Sequence, residues 1–550
     1  MLTRCRGLLL PALLALLPDA AHAQSVEAAL AAVYQSNPVL LSERAQLRVT
    51  DEKLPQALSN WRPKVSLNFA QGISSYGAPA GSGTPPSPTN NFVIGTAPQA
   101  YGIAISQPVY RGGRTDAEKS QALNLIRSER AKLLVTEQEV FLAAVKDYLD
   151  VVLAAATVDL NIDHQNLAQH ELQATRGRFN AGELTQTDVA QAEASYSNAI
   201  ARRQRAEGDL DVAKAAFFHD IGFHPGKLHP PEAAPLLPTT REGAVELSGR
   251  NNPAVIASNF AIAAAQNDVR LIKGELLPTL TLNARVDQER TALNNNAQTD
   301  NKEVYAELSV PLYEGGSVYS RSRAAQQTVA ALHNDYDEAR RVAILSASQA
   351  WDEMQSQRAS LQALSREITA DQVSLDGVRS EQAVGARTEL DVLNAQDTLF
   401  QAQLTQVQAR HDELIAEFSL EAAVGQMTAA ALGVRVAPYD ADEHLAAVRD
   451  KWYGLATPAG SQPTTFAPKP GKFTNGGYYD IGEPGSGVVV PQLDQANTRD
   501  YVGAQAPGGG RAPQNPNQVV DSTTLAALGD YDHDLRPRKS TNKWMDSSDP

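Results

Sequence analysis

Residues 108–113 read Pro-Val-Tyr-Arg-Gly-Gly, and residues 311–316 read Pro-Leu-Tyr-Glu-Gly-Gly, 203 positions later. The same spacing carries Gly182–Val189 (GELTQTDV) onto Gly385–Val392 (GARTELDV), and Ile221-Gly222 onto Val424-Gly425. Upstream the spacing is 215: Asn37-Pro38-Val39 recurs as Asn252-Pro253-Ala254, and Pro63-Lys64-Val65-Ser66-Leu67 as Pro278-Thr279-Leu280-Thr281-Leu282. Five matches in order, with one change of spacing by 12 residues between 63 and 108, define a tandem duplication whose first copy has the longer loop.

Each copy has the same internal order. A helix comes first (about 25–60 and 240–276), broken near its start by the Asn-Pro pair. Two short alternating segments follow around a polar loop, placed at 74–98 and 288–302. A very long helix then runs from Arg114 to about Arg178, and from Ser317 to about Ser380; at 1.5 Å per residue each spans roughly 100 Å. After a glycine, a return helix covers about 185–221 and 388–424. Phe141, Ala144, Val145, Tyr148 and Val152, with Ile344, Ala347 and Trp351 in the second copy, recur at helical spacing. A helix of this length must pack along other long helices to cover such a stripe.

The short segments alternate with period two. Val65, Leu67 and Phe69, then Tyr101, Ile103 and Ile105, form the apolar set of the first copy; Leu280 and Leu282, then Val304 and Leu308, belong to that of the second. The opposite set includes Arg285, Asp287 and Glu307. A soluble half-buried sheet gives the same alternation, but a charged face opposed to a continuous apolar one suits strands with lipid on one side and a wet lumen on the other. Four strands cannot close, and open edges are not tolerated in lipid. Three chains would supply twelve. The expected fold is therefore an α+β membrane protein: a trimeric twelve-stranded β-barrel, four strands per chain, continued by a long α-helical coiled-coil barrel.

The rest of the chain bounds the function. Of 550 residues, 42% are hydrophobic and 20% charged, with net charge -15, which excludes a binder of nucleic acid through a broad basic surface. Arg4 and Arg6, the apolar run Leu8–Leu17 and Ala21-His22-Ala23 form a secretory signal over residues 1–23. Cys5, the one cysteine, lies inside it, so the mature chain has no thiol nucleophile or thiolate ligand. No H-E-x-x-H, G-x-S-x-G or Walker A pattern occurs, and no enzymatic activity, metal or cofactor is expected. His219, His224 and His229, five apart, do not share a helix face. The organisation is then 24–222 for the first repeat, 223–239 for a linker, 240–425 for the second repeat and 426–455 for an equatorial docking segment. Trp452, Tyr453 and Leu455 are candidates to dock a short helix there. From 456 to 550 the Gly, Pro, Asn and Gln content predicts a disordered tail.

The Asn37-Pro38 pair, the two Gly-Gly runs and the turns GELTQTDV and GARTELDV make residues 25–440 resemble the TolC-type outer-membrane channel proteins. The resemblance implies a homotrimer in the Gram-negative outer membrane with a periplasmic extension. It also implies partnership with a periplasmic adaptor protein and an inner-membrane ABC or proton-driven transporter. The chain would be the passive exit duct for what that pump moves: proteins in type I secretion, the reading the long C-terminal tail favours, with small molecules in drug efflux as the alternative. The contrasting class is a soluble secreted coiled-coil structural protein. By resemblance Gly182 and Gly385 sit at the periplasmic tip, Arg387 ties the closed tip to Thr187 and Asp188, and Asp391 contributes to an acidic ring; Asn394 stands where the family often has a second acid. Spacing alone gives Asp188 and Asp391 another role, as the acid partners of capping boxes opened by Thr185 and Thr388.

Overall fold

The computed structural model describes residues 25–76, 94–96, 99–231, 233–291 and 297–456. The signal at 1–23, most of the loop expected at 74–98 and the tail beyond 456 lie outside them.

The first copy begins with α1 (Val26–Ser36), α2 (Pro38–Asp51) and α3 (Lys53–Ser59); the second begins with α6 (Arg241–Asn251) and α7 (Pro253–Lys273), which ends in one 3-10 turn over Gly274–Leu276. The Asn-Pro break works the same way in both. Proline fixes φ and lacks the N–H that the first helical turn leaves unpaired. Asn37 Oδ1 accepts from the Val39 N–H at 2.9 Å, and Asn252 Oδ1 from Ala254 N–H at 2.9 Å. Each asparagine also donates to the end of its own return helix, Asn37 to Asp220 O (3.2 Å) and Asn252 to Ala423 O (3.1 Å). The duplicated motif is thus a cap and a tie that closes each repeat on itself.

The first helix is three helices, with a second break at Glu52. Pro55 is the cause: its ring excludes the carbonyl four residues back, at Asp51, from a helical position. The equivalent position in the second copy is Arg270, and α7 runs through it unbroken.

The strands are β1 (Lys64–Gln71), β2 (Ser74–Tyr76), β3 (Ile94–Thr96), β4 (Gln99–Arg111), β5 (Thr279–Thr291) and β6 (Ala297–Ser309). Four of them make one antiparallel sheet in the order β1-β4-β5-β6, while β2 and β3 pair as a separate ribbon. The polar loop expected at 288–302 is mostly strand, and the ribbon likewise narrows the one at 74–98. Hydrogen-bonded polar side chains flank the ladder there, as where Gln288 Nε2 donates to Asp300 Oδ1 at 2.6 Å, and such polarity suits a loop equally well.

The long helices are α4 (Arg114–Asn180) and α8 (Ser317–Ala383), 67 residues each, returned by α5 (Gln186–Ile221) and α9 (Glu389–Ala423). Each long helix starts after a glycine pair in the left-handed region, Gly112-Gly113 and Gly315-Gly316, where the chain turns out of a strand. At Gly112 a Cβ would lie 2.4 Å from Gly274 O, so the turn is also a close approach of backbones. The main core lies around Phe141, Tyr148, Phe217, Leu30, Leu40 and Leu47, all fully buried. Each such side chain contributes about 1.5–3 kcal/mol relative to exposure. Tyr148 donates its hydroxyl to His229 O at 2.7 Å and so pins the linker. The second copy has a smaller core around Ala347, Met354, Leu420 and Val424, with Trp351 packed against it.

Residues 426–456 return to the first helices. Glu137 Oε1 accepts from Ala429 N–H (2.7 Å), Tyr34 Oη from Tyr439 N–H (2.9 Å), and Asp442 pairs with Arg130 (2.6 Å). A short helix, α10 (Ala441–Arg449), docks there through Val448 and Leu445, whereas Trp452, Tyr453 and Leu455 stay exposed. The docking is thus done by residues preceding the expected aromatic group. Only the Trp452 ring finds a neighbour, the Arg62 guanidinium 4.9 Å from its centroid.

Candidate functional site

Two regions concentrate the expected site residues: one sheet face, and the pair of helical turns where α4 meets α5 and α8 meets α9.

Residues directly opposite one another on antiparallel strands share a face. The register aligns Val65, Ile105, Ala284 and Val304 in one row, and Leu67, Ile103, Val286 and Lys302 in the next. Phe69 stands opposite Tyr101, and Leu280 opposite Leu308 on the same side. Leu67 is 79% exposed, Phe69 70% and Val304 76%, so in a single chain this apolar face has no cover. The alternate rows are polar, running Ser66, Ala104, Arg285, Glu303 and Asn68, Gly102, Asp287, Asn301. On that side Asp287 pairs with Arg285 (2.7 Å) and accepts from Asn301 Nδ2 (3.3 Å). Gly102 makes room for this: a Cβ there would stand 2.5 Å from the Asp287 Cβ. The sheet's outer strands, β1 and β6, have one neighbour each.

At the other end, Gly182 (φ 82°) and Gly385 (φ 77°) close the long helices identically. Glu183 N–H donates to Arg178 O and Gly182 N–H to Phe179 O; Ala386 N–H donates to Glu381 O and Gly385 N–H to Gln382 O. This double bond pattern needs a left-handed residue at the turn, the position glycine fills. Three residues on, the return helices start with complete capping boxes. Thr185 Oγ1 accepts from Asp188 N–H (3.3 Å) while Asp188 Oδ2 accepts from Thr185 N–H (2.8 Å); Thr388 and Asp391 repeat both bonds at 3.3 and 2.9 Å. These bonds hold the Asp188 and Asp391 carboxyls below the usual aspartate range, first through the threonine backbone N–H and then its hydroxyl.

Arg387 pairs with Glu381 (2.9 Å) within its own turn. The tie to Thr187 and Asp188 is not among the contacts of the single chain: Thr187 is exposed, and the Asp188 carboxylate is occupied by Thr185. Across the gap between the two hairpins, Arg202 of α5 reaches Asp397 of α9 (2.8 Å), and Arg178 of α4 stands 3.6 Å from Glu389 of α9. Glu389 is the residue that sequence reasoning missed. Its side chain is 1% exposed, and it shares the buried stripe Val392, Gln396 and Leu399 at helical spacing, the signal that could have found it. Among the described residues no group of histidines and carboxylates could hold a metal ion. His219 contacts Asp220, His224 stacks on Phe218 and His229 joins Tyr148 through its backbone.

The chain matches the family model described as "Outer membrane efflux protein" over residues 29–222 and 245–426, one segment in each repeat. It is 34% identical over 443 residues to the outer membrane efflux protein BepC of Brucella suis biovar 1, covering 80% of this chain and 94% of BepC. It is 24% identical over 357 residues to the alkaline protease secretion protein AprF of Pseudomonas aeruginosa, covering 63% and 74%. Among solved structures, the outer membrane protein VceC of Vibrio cholerae superposes with TM-score 0.63 at 17% identity, covering 73% of this chain and 96% of VceC.

Proposed function

The chain belongs to the outer membrane efflux protein family, and from that premise we propose that three copies assemble into the exit duct of a tripartite export system. It is an outer-membrane protein of a family of channels, which are not enzymes. In the proposed assembly the four-stranded sheets complete one another's edges into a twelve-stranded barrel, and the paired long helices continue it through the periplasm. A periplasmic adaptor joins the duct to an inner-membrane ABC or proton-driven transporter, which supplies the energy.

One observation carries this reading: a sheet with an uncovered apolar face and two single-neighbour edge strands. In water such a face stays a liability; in lipid it is the required surface, and closing the edges requires further copies. The turns at Gly182 and Gly385 lie at the opposite end of helices about 100 Å long, where a periplasmic tip belongs. There Asp188, Asp391 and Arg387, with Thr187 beside them, form the proposed gate. Three symmetry-related copies of Asp391 would repel one another and attract cations at a narrow axis, and capping does not compete with this role, since Asp391 remains exposed to one side while bound to Thr388.

Two cargo classes each have support. The name of AprF, a protease secretion protein, supports protein export, and that of BepC, an efflux protein, supports the efflux reading. Deleting the gene and comparing the secreted proteins with the susceptibility to toxic compounds separates them: loss of a secreted protein with unchanged susceptibility supports secretion, and the reverse supports efflux. The duct itself is tested by fractionation. A heat-dissociable trimer in the outer membrane is expected; a soluble monomer overturns the proposal.

A further inference from the structure

Glu389 is the first residue of α9, yet its carboxyl is buried against a different hairpin. From α4 it meets three groups: Thr175, whose hydroxyl is 3.0 Å from Oε1; Arg178, 3.6 Å from Oε2; and the carboxyl of Glu171. From the end of α8, Gln382 Nε2 donates to Oε2. On its own helix Gln396, also buried, directs Nε2 at Glu171 Oε2 (3.4 Å). Two carboxyls, one partly shared guanidinium and three neutral polar groups therefore fill the seam. Arg178 is divided between Glu389 and Glu183, 3.5 Å away.

We propose that Glu389 is a proton-operated latch that holds the second tip hairpin to the first. The hydrogen-bond count points to a proton on it. A hydroxyl has one hydrogen, and Thr175 Oγ1 lies closer to its own helix carbonyl, Glu171 O at 2.8 Å, than to Glu389. With Thr175 donating to that carbonyl, the bond to Glu389 is satisfied when a protonated Glu389 donates to Thr175 Oγ1. Burial and then the neighbouring Glu171 carboxyl push the same way, raising Glu389 above the ordinary glutamate range; a Thr175 hydroxyl turned to donate to the ionised form, and Arg178, pull against them. Because the proton is held more tightly in the docked seam than by a glutamate in water, docking is favoured at acid pH. It weakens as pH rises through the docked value and two carboxylates face each other. The Asp188 and Asp391 carboxyls, held low by their caps, finish titrating before that window opens. The position is specific to the second copy, since Gln186 occupies the equivalent place in the first. The latch concerns packing within one chain and stands whether or not the tip gates a pore.

The test uses the full-length protein in detergent, with spin labels on cysteines at the exposed positions Ala181 and Ala386, one on each turn. The interlabel distance distribution is measured at about pH 5 and about pH 8 in the parent, in Glu389→Gln and in Glu171→Gln. A glutamine at 389 is permanently neutral and keeps every hydrogen bond that a protonated glutamate makes. The parent is expected to lose about threefold of its short-distance population at the higher pH, Glu389→Gln to keep it at both, and Glu171→Gln to lose less than the parent. A parent distribution indifferent to pH overturns the proposal, as does a Glu389→Gln distribution that moves with pH as the parent's does.

Discussion

Arg358 of α8 donates to Glu413 Oε1 at 3.1 Å and to Glu417 Oε1, binding two buried carboxylates of α9 with one guanidinium. Glu417 in turn accepts from Ala234 N–H at 3.0 Å, so the arginine fixes both the α8–α9 contact and the linker lying over it. Arg358→Ala leaves the two acids unequally placed. Glu413 keeps Arg410, whereas Glu417, its side chain 2% exposed, keeps only the amide. Removing one partner of a buried pair costs about 3–5 kcal/mol. Arg358 is itself 39% exposed, and water entering the vacated space lowers the expected loss to about 2 kcal/mol. If that loss falls on the local opening of the linker, hydrogen exchange at the Ala234 amide accelerates about thirtyfold. Adding Glu417→Gln removes the stranded charge but keeps an oxygen for the amide, so the double variant should recover most of the protection. Exchange-coupled mass spectrometry over residues 223–239 reads both outcomes. Acceleration below about threefold in Arg358→Ala, or no recovery in the double variant, refutes the assignment of Arg358 as the clamp.

Glu421, fully buried on the same helix, has its carboxyl pushed up to about 7 by burial and by Glu417. A raised folded value means stability is full below the ordinary glutamate range and falls as pH rises to about 7. Thermal unfolding should therefore drop by about 3 kcal/mol between about pH 4.5 and 7, and Glu421→Gln should flatten that slope. Leu67→Arg, on the apolar sheet face, should cost about 2–4 kcal/mol of membrane stability and deplete the outer-membrane fraction, while Asn68→Lys on the polar face should leave it unchanged. Gly102→Ala drives a methyl into Asp287 and should destabilise the sheet by about 1–3 kcal/mol, read as a lower dissociation temperature of the oligomer on gels. Arg387→Ala and Asp188→Ala should each raise single-channel conductance in planar bilayers; unchanged conductance in both removes the gate assignment.

The duplicated features were legible because each is a local device with one solution. Asn-Pro caps a helix, Gly-Gly turns a strand into a helix, and Thr-x-x-Asp starts the return helix; all occur twice and form the same bonds twice. The apolar alternation gave the register's two faces for the same reason. What stayed hidden depended on partners distant in sequence or on a residue with two plausible roles. Pro55 sits in the first turn of a helix that it helped create, so its break at Glu52 looks like uninterrupted pattern. The outer ends of β5 and β6 pair through Gln288 and Asp300, residues whose polarity also suits a loop. Glu389 sits where an acid favours a helix N-terminus, which masks that its side chain turns inward to α4. The resemblance sets Arg387 against Asp188, whereas in the single chain it pairs with Glu381, six residues away.

Several of the many differences between the copies fall beside the tip turns. Arg178 corresponds to Glu381, Leu184 to Arg387, Gln186 to Glu389 and Thr175 to Val378, while the caps and glycines beside them are unchanged. A physical reason follows from assembly. In the proposed trimer, three chains of two hairpins would make a ring of six, in which each hairpin would have a neighbour within its chain on one side and a neighbour from another chain on the other. Identical repeats would make those two seams alike, and nothing would let one slide while the other held. Different seam residues, with the turn glycine and the capping threonine and aspartate kept, would make the seams unequal without altering the fold. In the seam within the chain, Glu389 stands where the first copy has the exposed Gln186 and is buried against Thr175 and Arg178. Near the tip, polar contacts join the two hairpins beside a small apolar cluster of Leu375, Val392 and Leu399 within the second, in place of the extensive apolar core found near Tyr148. Contacts of this kind, individually worth about 1 kcal/mol or less where water reaches them, are weak enough for a docked partner or a change of pH to shift.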